Sequence, residues 1–428
     1  MTSTLTRILS PAQVLAFRRK LMSWYRANAR ELPWRGTRDP YQTWVSEVML
    51  QQTRVAAVLE HYERFLRLFP TVVALALAPE AQVLAAWSGL GYYRRARSLH
   101  QAAQFLVRER GAQIPTSAVE LRTLPGIGEY TCAAIASIAF GERAAVVDGN
   151  VDRVLLRVTG RAEDASAAAR TAIRAQAEAL VPNKRMGGSS NAAGDHNQAM
   201  MELGATLCLP RAPLCLNCPV FDLCATRGEH LAVPRRKQRS RPAAFLLATR
   251  KQGTRTHVLL TRRPAEASLM PGMLELPPLP IDAVASPNAP EPILRLRHSI
   301  THTNFYVEVF VQSGDQSPTS AITSFDNEEG EYNPGSDEQS PDPVQHTPYQ
   351  PGPEPAGLLN AIPVASGALG WYAHAQLSGL PLTGLARKIL LRANLYAIAS
   401  PQTPAQPIAT TRRKAGRKPQ SNSVQPEK

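Results

Sequence analysis

The sequence predicts a multidomain protein. An all-α domain over residues 10–230 is followed, across a basic linker at 231–242, by a smaller α/β or α+β domain over 243–395. Three observations carry this. Amphipathic stretches with helical spacing recur through the first region, with no strand-rich segment among them. Short apolar, β-branched runs begin only after the linker. At the end of the first region stand Cys208, Cys215, Cys218 and Cys224, spaced C-x6-C-x2-C-x5-C, and the chain has only one other cysteine, Cys132.

A length of 428 residues suits two domains, and a 44% hydrophobic content is enough for two cores. Within 10–230 the clearest helical stretches are Thr43–Phe69 and Ala81–Arg110, broken by Pro, Gly and polar turns. In the second domain Phe245–Thr249, Thr256–Thr261 and Phe305–Gln312 read as strands. Residues 313–356 are rich in Pro, Ser, Asp and Glu, which predicts a disordered acidic insertion. No Lys or Arg lies between Arg297 and Arg387, so this insertion would repel DNA and loop outward. Residues 400–428 read as a disordered basic tail.

The formal net charge is +14, from 48 basic and 34 acidic residues. Such an excess favours a polyanionic partner such as nucleic acid, although basic tails alone would also produce it. No apolar run is long enough to span a membrane, and the N-terminus has no long apolar signal region. A reduced cytoplasmic setting and no membrane partner are therefore expected. In that setting the four clustered cysteines read as a metal site rather than a disulfide framework. Four thiolates suit an iron–sulfur cluster or a tetrahedral zinc, and geometry alone leaves both open.

Leu124-Pro125-Gly126-Ile127-Gly128 lies between two helix-like segments. Pro and two glycines make a tight turn whose backbone N–H groups, at the start of the next helix, suit a phosphate. That is the hairpin of a helix–hairpin–helix motif. A PGxG turn is common elsewhere, so it gains weight only from the cysteine loop and the basic charge that accompany it.

The order of LPGIG, Val147-Asp148-Gly149-Asn150-Val151 and the four-cysteine loop resembles the helix–hairpin–helix DNA glycosylase superfamily. The resemblance sharpens toward its adenine DNA glycosylases in Leu32-Pro33-Trp34-Arg35, Trp44–Thr53 (WVSEVMLQQT), Gly89-Leu90-Gly91-Tyr92-Tyr93 and Asn197–Gly204 (NQAMMELG). It covers residues 10–230 densely and 240–395 loosely. It implies a [4Fe-4S] cluster on the four cysteines and a double-stranded DNA partner carrying adenine opposite 8-oxoguanine or guanine. A monomer acting at the DNA of a bacterial cytoplasm is the accompanying expectation.

Hydrolysis of a purine N-glycosidic bond needs the base protonated and the cationic sugar stabilised, work that two carboxylates in different environments can divide. A lone helical Glu is ordinarily a solvated residue, but Glu47 lies among Val45, Val48, Met49 and Leu50, where burial would raise its pKa. Glu47 matches the family's catalytic glutamate. Asp148 reads first as a helix N-cap, and the resemblance adds the role of catalytic aspartate. Tyr130 occupies the place where endonuclease III-like enzymes carry a Schiff-base lysine, which implies a monofunctional glycosylase.

An enzyme acting on a base within a duplex must extrude it and fill the gap. By resemblance, Gln51 and Tyr92 enter the stack, flanked by Gln52 and Thr53. Arg30, Leu32, Trp34 and Gln198 match positions around the adenine pocket, though Trp34 could equally be core packing. Leu124, Gly126 and Gly128 grip the backbone. The second domain resembles the family's Nudix-like lesion-reading domain, in Leu259–Arg263, Pro271–Pro277 and Leu380–Arg387. It lacks the clustered glutamates of a pyrophosphohydrolase. The family's Phe-Ser-His loop is replaced by Ile300-Thr301-His302, so Thr301 and His302 would read the lesion without an aromatic wedge. The rival readings are an endonuclease III-like glycosylase/lyase, a noncatalytic DNA-binding protein and a Nudix hydrolase.

Overall fold

The computed structural model describes residues 9–162, 164, 166–183, 191–230, 238–285, 290–300, 302–313 and 369–396. Residues 314–356 of the expected insertion, the tail at 400–428, linker residues 231–237 and Thr301 lie outside the described residues.

The first domain is helical: α1 (Pro11–Asn28), α2 (Pro40–Leu50), α3 (Val55–Leu68), α4 (Val72–Leu77), α5 (Glu80–Trp87), α6 (Arg94–Arg110), α7 (Ala118–Leu121), α8 (Glu129–Phe140), α9 (Gly149–Thr159), α10 (Ala167–Leu180) and α11 (Ala192–Thr206). Local chemistry sets the starts. Ser10 and Gln13 form a reciprocal capping box ahead of α1, with Pro11 in the first turn. The Asp39 carboxylate accepts from the amides of Tyr41 and Gln42, at 2.8 and 3.2 Å, to begin α2. The long stretch 43–69 is two helices, because Gln52 takes a left-handed φ of 52° and redirects the chain. The stretch 81–110 divides at the turn Ser88–Tyr93.

Two apolar cores organise this domain. One packs Trp44, Phe65, Trp87, Leu99 and Ile135, from α2 to α8. The other packs Phe17 and Leu21 of α1 against Leu155, Ile173, Leu180 and Leu203 of α9–α11. A small cluster of Ala134, Ile138 and Val146, with Tyr130 and Met201 against it, lies at their junction. The cysteine loop follows α11 as two short 3-10 turns, Cys215–Asn217 and Phe221–Leu223, and packs on the second core.

The second domain contains β1 (Arg239–Gln252), β2 (Arg255–Arg262), β3 (Leu274–Glu275), β4 (Pro278–Leu279), α12 (Ile281–Val284), β5 (Leu294–Ile300), β6 (Thr303–Ser313), β7 (Leu369–Ala373) and α13 (Gly384–Arg392). They form a seven-stranded sheet with the path β3-β2-β1-β6-β5, β4 pairing with β1 and β7 with β2. Only β1 and β6 run parallel among these pairs. Period-two alternation in β1 sends Leu247 toward Leu385 and Ile389 of α13, and Ala244, Leu246 and Ala248 to the opposite face.

One boundary differs from the sequence reading: residues 239–242, assigned to the linker, begin β1. They pair with Thr303–Tyr306 of β6 on one side only, so Pro242 interrupts no ladder on the other. Among the described residues no helix is long and apolar enough to cross a membrane.

Candidate active site and cysteine loop

Helix α2 runs almost wholly buried, and it carries Glu47, 4% exposed, inside. The Tyr130 hydroxyl, on α8, donates to Glu47 Oε2 and lies 3.6 Å from Met201 Sδ of α11. Burial pushes the Glu47 carboxyl up to about 7; the Tyr130 hydrogen bond opposes this and the nearby Asp148 charge adds to it. Burial likewise raises Tyr130 well above the usual phenol range, so it stays a neutral donor.

Asp148 is the N-cap of α9. Its Oδ1 accepts from the Val151 amide at 2.7 Å and its Oδ2 from Asn150 Nδ2 at 2.9 Å. Arg153 Nη2 in turn donates to Asn150 Oδ1 at 2.9 Å, and its Nε to the Cys208 carbonyl at 2.7 Å. A short polar chain therefore joins the aspartate to the cysteine loop. Asn197, buried on α11, accepts from the Val146 amide and donates to the Ala144 carbonyl, at 3.3 and 2.8 Å, holding the segment that leads to Asp148.

The four cysteines line one cavity with Val154, Val158, Leu203, Val220 and the arginines 157 and 227. Arg157 is 3% exposed. Its Nη1 lies 3.4 Å from Cys208 Sγ, and its guanidinium donates to the carbonyls of Leu209 and Pro210, at 2.6 and 2.9 Å. The Arg227 amide donates to Cys224 Sγ at 3.4 Å. N–H donors to sulfur and a buried cation with carbonyl partners suit an anionic thiolate centre. Among the described residues no three His, Cys, Asp or Glu side chains close around a single ion.

Of the expected pocket residues, Arg30 forms a two-point ion pair with the buried Glu202, Nε–Oε1 2.8 Å and Nη2–Oε2 2.6 Å. Arg35 Nη2 reaches the same Oε2 at 2.6 Å. Burial favours the neutral acid, but the hydrogen bonds from both arginines win and hold Glu202 at about 2. Trp34 is 7% exposed and meets Tyr62 edge-to-face at 5.4 Å, in the first core. Leu32 packs at the edge of that core, and Gln198 is half-buried on α11.

Gln51 Nε2 donates to Thr131 Oγ1 at 3.0 Å, tying the end of α2 to α8. Gln52 is exposed. Thr53 Oγ1 accepts from Arg95 Nη2 at 2.9 Å. Tyr92, also left-handed at φ 47°, is 49% exposed. In the hairpin Leu124 is buried. Gly126, at φ +72°, packs where a Cβ would lie 2.3 Å from the Ser98 Cβ, so only glycine fits. Gly128 begins α8 with no side-chain cap, leaving first-turn N–H groups to an outside acceptor. His302 stands exposed at the β5–β6 turn, its carbonyl accepting from the Arg239 amide at 3.1 Å; Ile300 belongs to β5.

Sequence reasoning missed Glu202, Arg35, Arg95 and Arg153 as organising residues. Glu202 lay in plain view within the Asn197–Gly204 motif, but its partners stand 167 and 172 residues away.

The family model that matches describes an HhH-GPD superfamily base excision DNA repair protein, over residues 45–182. The rat adenine DNA glycosylase is 48% identical over 223 residues, covering 50% of this chain and 42% of the relative. The human adenine DNA glycosylase is 47% identical, covering 50% and 40%. One from Mycobacterium tuberculosis is 42% identical, covering 48% and 66%. The chain thus spans less than half the length of the mammalian relatives. Among solved structures, a thermostable thymine-DNA glycosylase is 30% identical with a TM-score of 0.46, covering 50% of this chain and 97% of that one. A trapped endonuclease III–DNA covalent intermediate is 23% identical with a TM-score of 0.43, covering 51% and 98%. Residues 45–182 thus carry the HhH-GPD superfamily match, and the first half of the chain is similar to adenine DNA glycosylases.

Two stability predictions follow from the carboxylates. Glu47 has a folded pKa of about 7, above its unfolded value, so its burial costs stability increasingly as pH rises from about 4.5 to 7. Glu47→Gln should therefore stabilise the protein at pH 8, by up to about 3 kcal/mol, with the gain vanishing near pH 4; denaturant melts at both pH values test this. Glu202 has the opposite sign, since its depressed pKa contributes stability that is lost as pH falls through about 2. Glu202→Gln should cost about 3 kcal/mol at pH 7, because Arg35 and the inner part of Arg30 are left without a counter-charge.

Proposed function

We propose that this chain is a monofunctional adenine DNA glycosylase that removes adenine paired with 8-oxoguanine or guanine. The observation that carries the reading is the buried Glu47 carboxyl beside Tyr130. Its pKa of about 7 keeps a proton available for the leaving base at neutral pH. Asp148, held by the Val151 amide and Asn150, stays oriented to stabilise the cationic sugar until water adds. Tyr130 offers no amine for a Schiff base, so strand cleavage is not part of the reaction. Gln198, Leu32 and the Arg30–Glu202–Arg35 group flank the adenine pocket, which Trp34 supports from the first core. Gln51, Gln52, Thr53 and Tyr92 contact the opened duplex. Leu124, Gly126 and Gly128 hold its backbone.

The second domain is read as a Nudix-like lesion reader, in which Thr301 and His302 are the residues assigned to the base opposite adenine. On this reading the chain works as a monomer on the DNA of a bacterial cytoplasm. Cys208, Cys215, Cys218 and Cys224 are the residues that would hold a [4Fe-4S] cluster. All four line one cavity, with Arg157 and the Arg227 amide beside the sulfurs. When bound, the cluster would tie the loop onto the second core.

A labelled duplex with adenine opposite 8-oxoguanine should break only after alkali, at the adenine, and Glu47→Gln should abolish the signal. Alkali-independent cutting at thymine glycol, or no excision from any adenine mispair, would overturn the assignment. With Glu47 as the acid, the single-turnover rate should fall as pH rises above about 7. Purified protein should carry about four irons per chain with broad visible absorbance, both lost in Cys218→Ser; zinc at one per chain would refute the cluster.

A further inference from the structure

The turn Ser88–Tyr93, which presents Tyr92, is gripped from both domains. On the helical side, Arg95 Nη2 donates to the carbonyls of Leu90 and Gly91, each at 3.2 Å. Its Nη1 donates to the carbonyls of Val48 and Met49, at 2.8 and 2.9 Å, and to that of Gln51, so one guanidinium ties the turn to the end of α2. On the other side, Arg387 of α13 donates from Nη1 to the Ser88 carbonyl at 2.7 Å. The hydroxyls of Ser88 and Tyr93 both donate to the Leu382 carbonyl, at 3.1 and 2.9 Å.

Gly89 shows how closely the two domains fit. Its φ is +112°, and a Cβ there would lie 1.6 Å from Arg387 Nη1 and 2.9 Å from His61 Nε2. The guanidinium therefore occupies the space a side chain would take, and the strained turn and the arginine require each other. Arg387 is 8% exposed and forms no ion pair with a carboxylate among the described residues. The Ser88 carbonyl is held from both sides, by Arg387 Nη1 at 2.7 Å and by His61 Nε2 of the first domain at 2.9 Å, and the second-domain hydrogen bond constrains its direction as an apolar contact of equal size would not.

We propose that Arg387 is a positioning residue for base extrusion: from the second domain it sets the Ser88–Tyr93 turn, and so the pose in which Tyr92 enters the duplex. The consequence of this geometry for the reaction rests on the glycosylase reading above; the geometry itself does not. Docking of the second domain thereby determines the readiness of a residue in the first.

The test uses the full chain as Arg387→Met, Tyr92→Ala and the double variant. In free protein, hydrogen–deuterium exchange at the amides of 89–93 should rise about tenfold or more in Arg387→Met while those of α2 and α8 stay protected. On a duplex with adenine opposite 8-oxoguanine, the single-turnover rate at saturating protein should fall about tenfold, and Arg387→Met should cause no further loss in the Tyr92→Ala background. Unchanged exchange in the turn overturns the proposal. So does an equal fold-loss in both backgrounds, which would mark Arg387 as glue between domains. Wild-type protein inert on every adenine mispair sinks the glycosylase reading and, with it, the extrusion role; the exchange measurement still decides whether Arg387 holds the turn. If the Met variant does not fold, Arg387→Lys keeps the cation without the planar fork and is read the same way.

Discussion

The burial of Glu47 sets the terms for the chemistry of the helical domain. A carboxyl placed inside α2, amid Val45, Val48 and Met49, is unfavourable by itself, because the charged form loses its hydration. The fold answers with a hydrogen bond from one neutral donor, the Tyr130 hydroxyl, while Arg35 acts only through its more distant charge. A paired arginine there would have driven the carboxyl toward permanent ionisation, as Arg30 and Arg35 do for Glu202. Two buried carboxylates, on helices that both pack against α8, thus have their pKa values moved in opposite directions by burial and by the identity of their hydrogen-bond partners. Both of the domain's cores contribute: α2 and α8 come from the first, α9 and α11 from the second, so the carboxyl's surroundings exist only when the two are closed together.

Arginines whose hydrogen bonds go to backbone carbonyls recur wherever a loop must keep one shape. Arg95 collects carbonyls from the end of α2 and from the Ser88–Tyr93 turn. Arg157 collects those of Leu209 and Pro210 beside a cysteine sulfur. Arg387 takes that of Ser88 across the domain boundary. The planar fork suits this work, since it meets several acceptors from one rigid group. Part of the chain's basic excess is therefore internal scaffolding, and net charge alone overstates the cationic surface offered to DNA.

Much of this was legible along the chain. The helical first domain, the strands at 245–249, 256–261 and 305–312, the glycines of the hairpin and the cap at Asp148 all depend on residues within a few positions of one another. Local chemistry of that kind is written in sequence order. Trp34 was ambiguous because an aromatic near a pocket and an aromatic in a core have the same sequence signature; its contact with Tyr62 is what places it in the core. Residues 239–242 looked like linker because Arg, Ser and Pro are poor strand formers, and it is the parallel partner β6 that draws them into the sheet.

The sequence by itself determined the two-domain order, the helical periods, the turn types and the chemical identity of the groups at the site: an acid, a cap, a phenol and four thiols. Those follow from side-chain chemistry and short-range sterics, which need no distant partner. Folding added the depressed pKa of Glu202 opposite the raised one of Glu47, the second-domain arginine in the space above Gly89, and the link from Asp148 through Asn150 and Arg153 to the cysteine loop. Protonation and coupling depend on distance and burial, and those arise only when residues far apart in the chain are brought into contact.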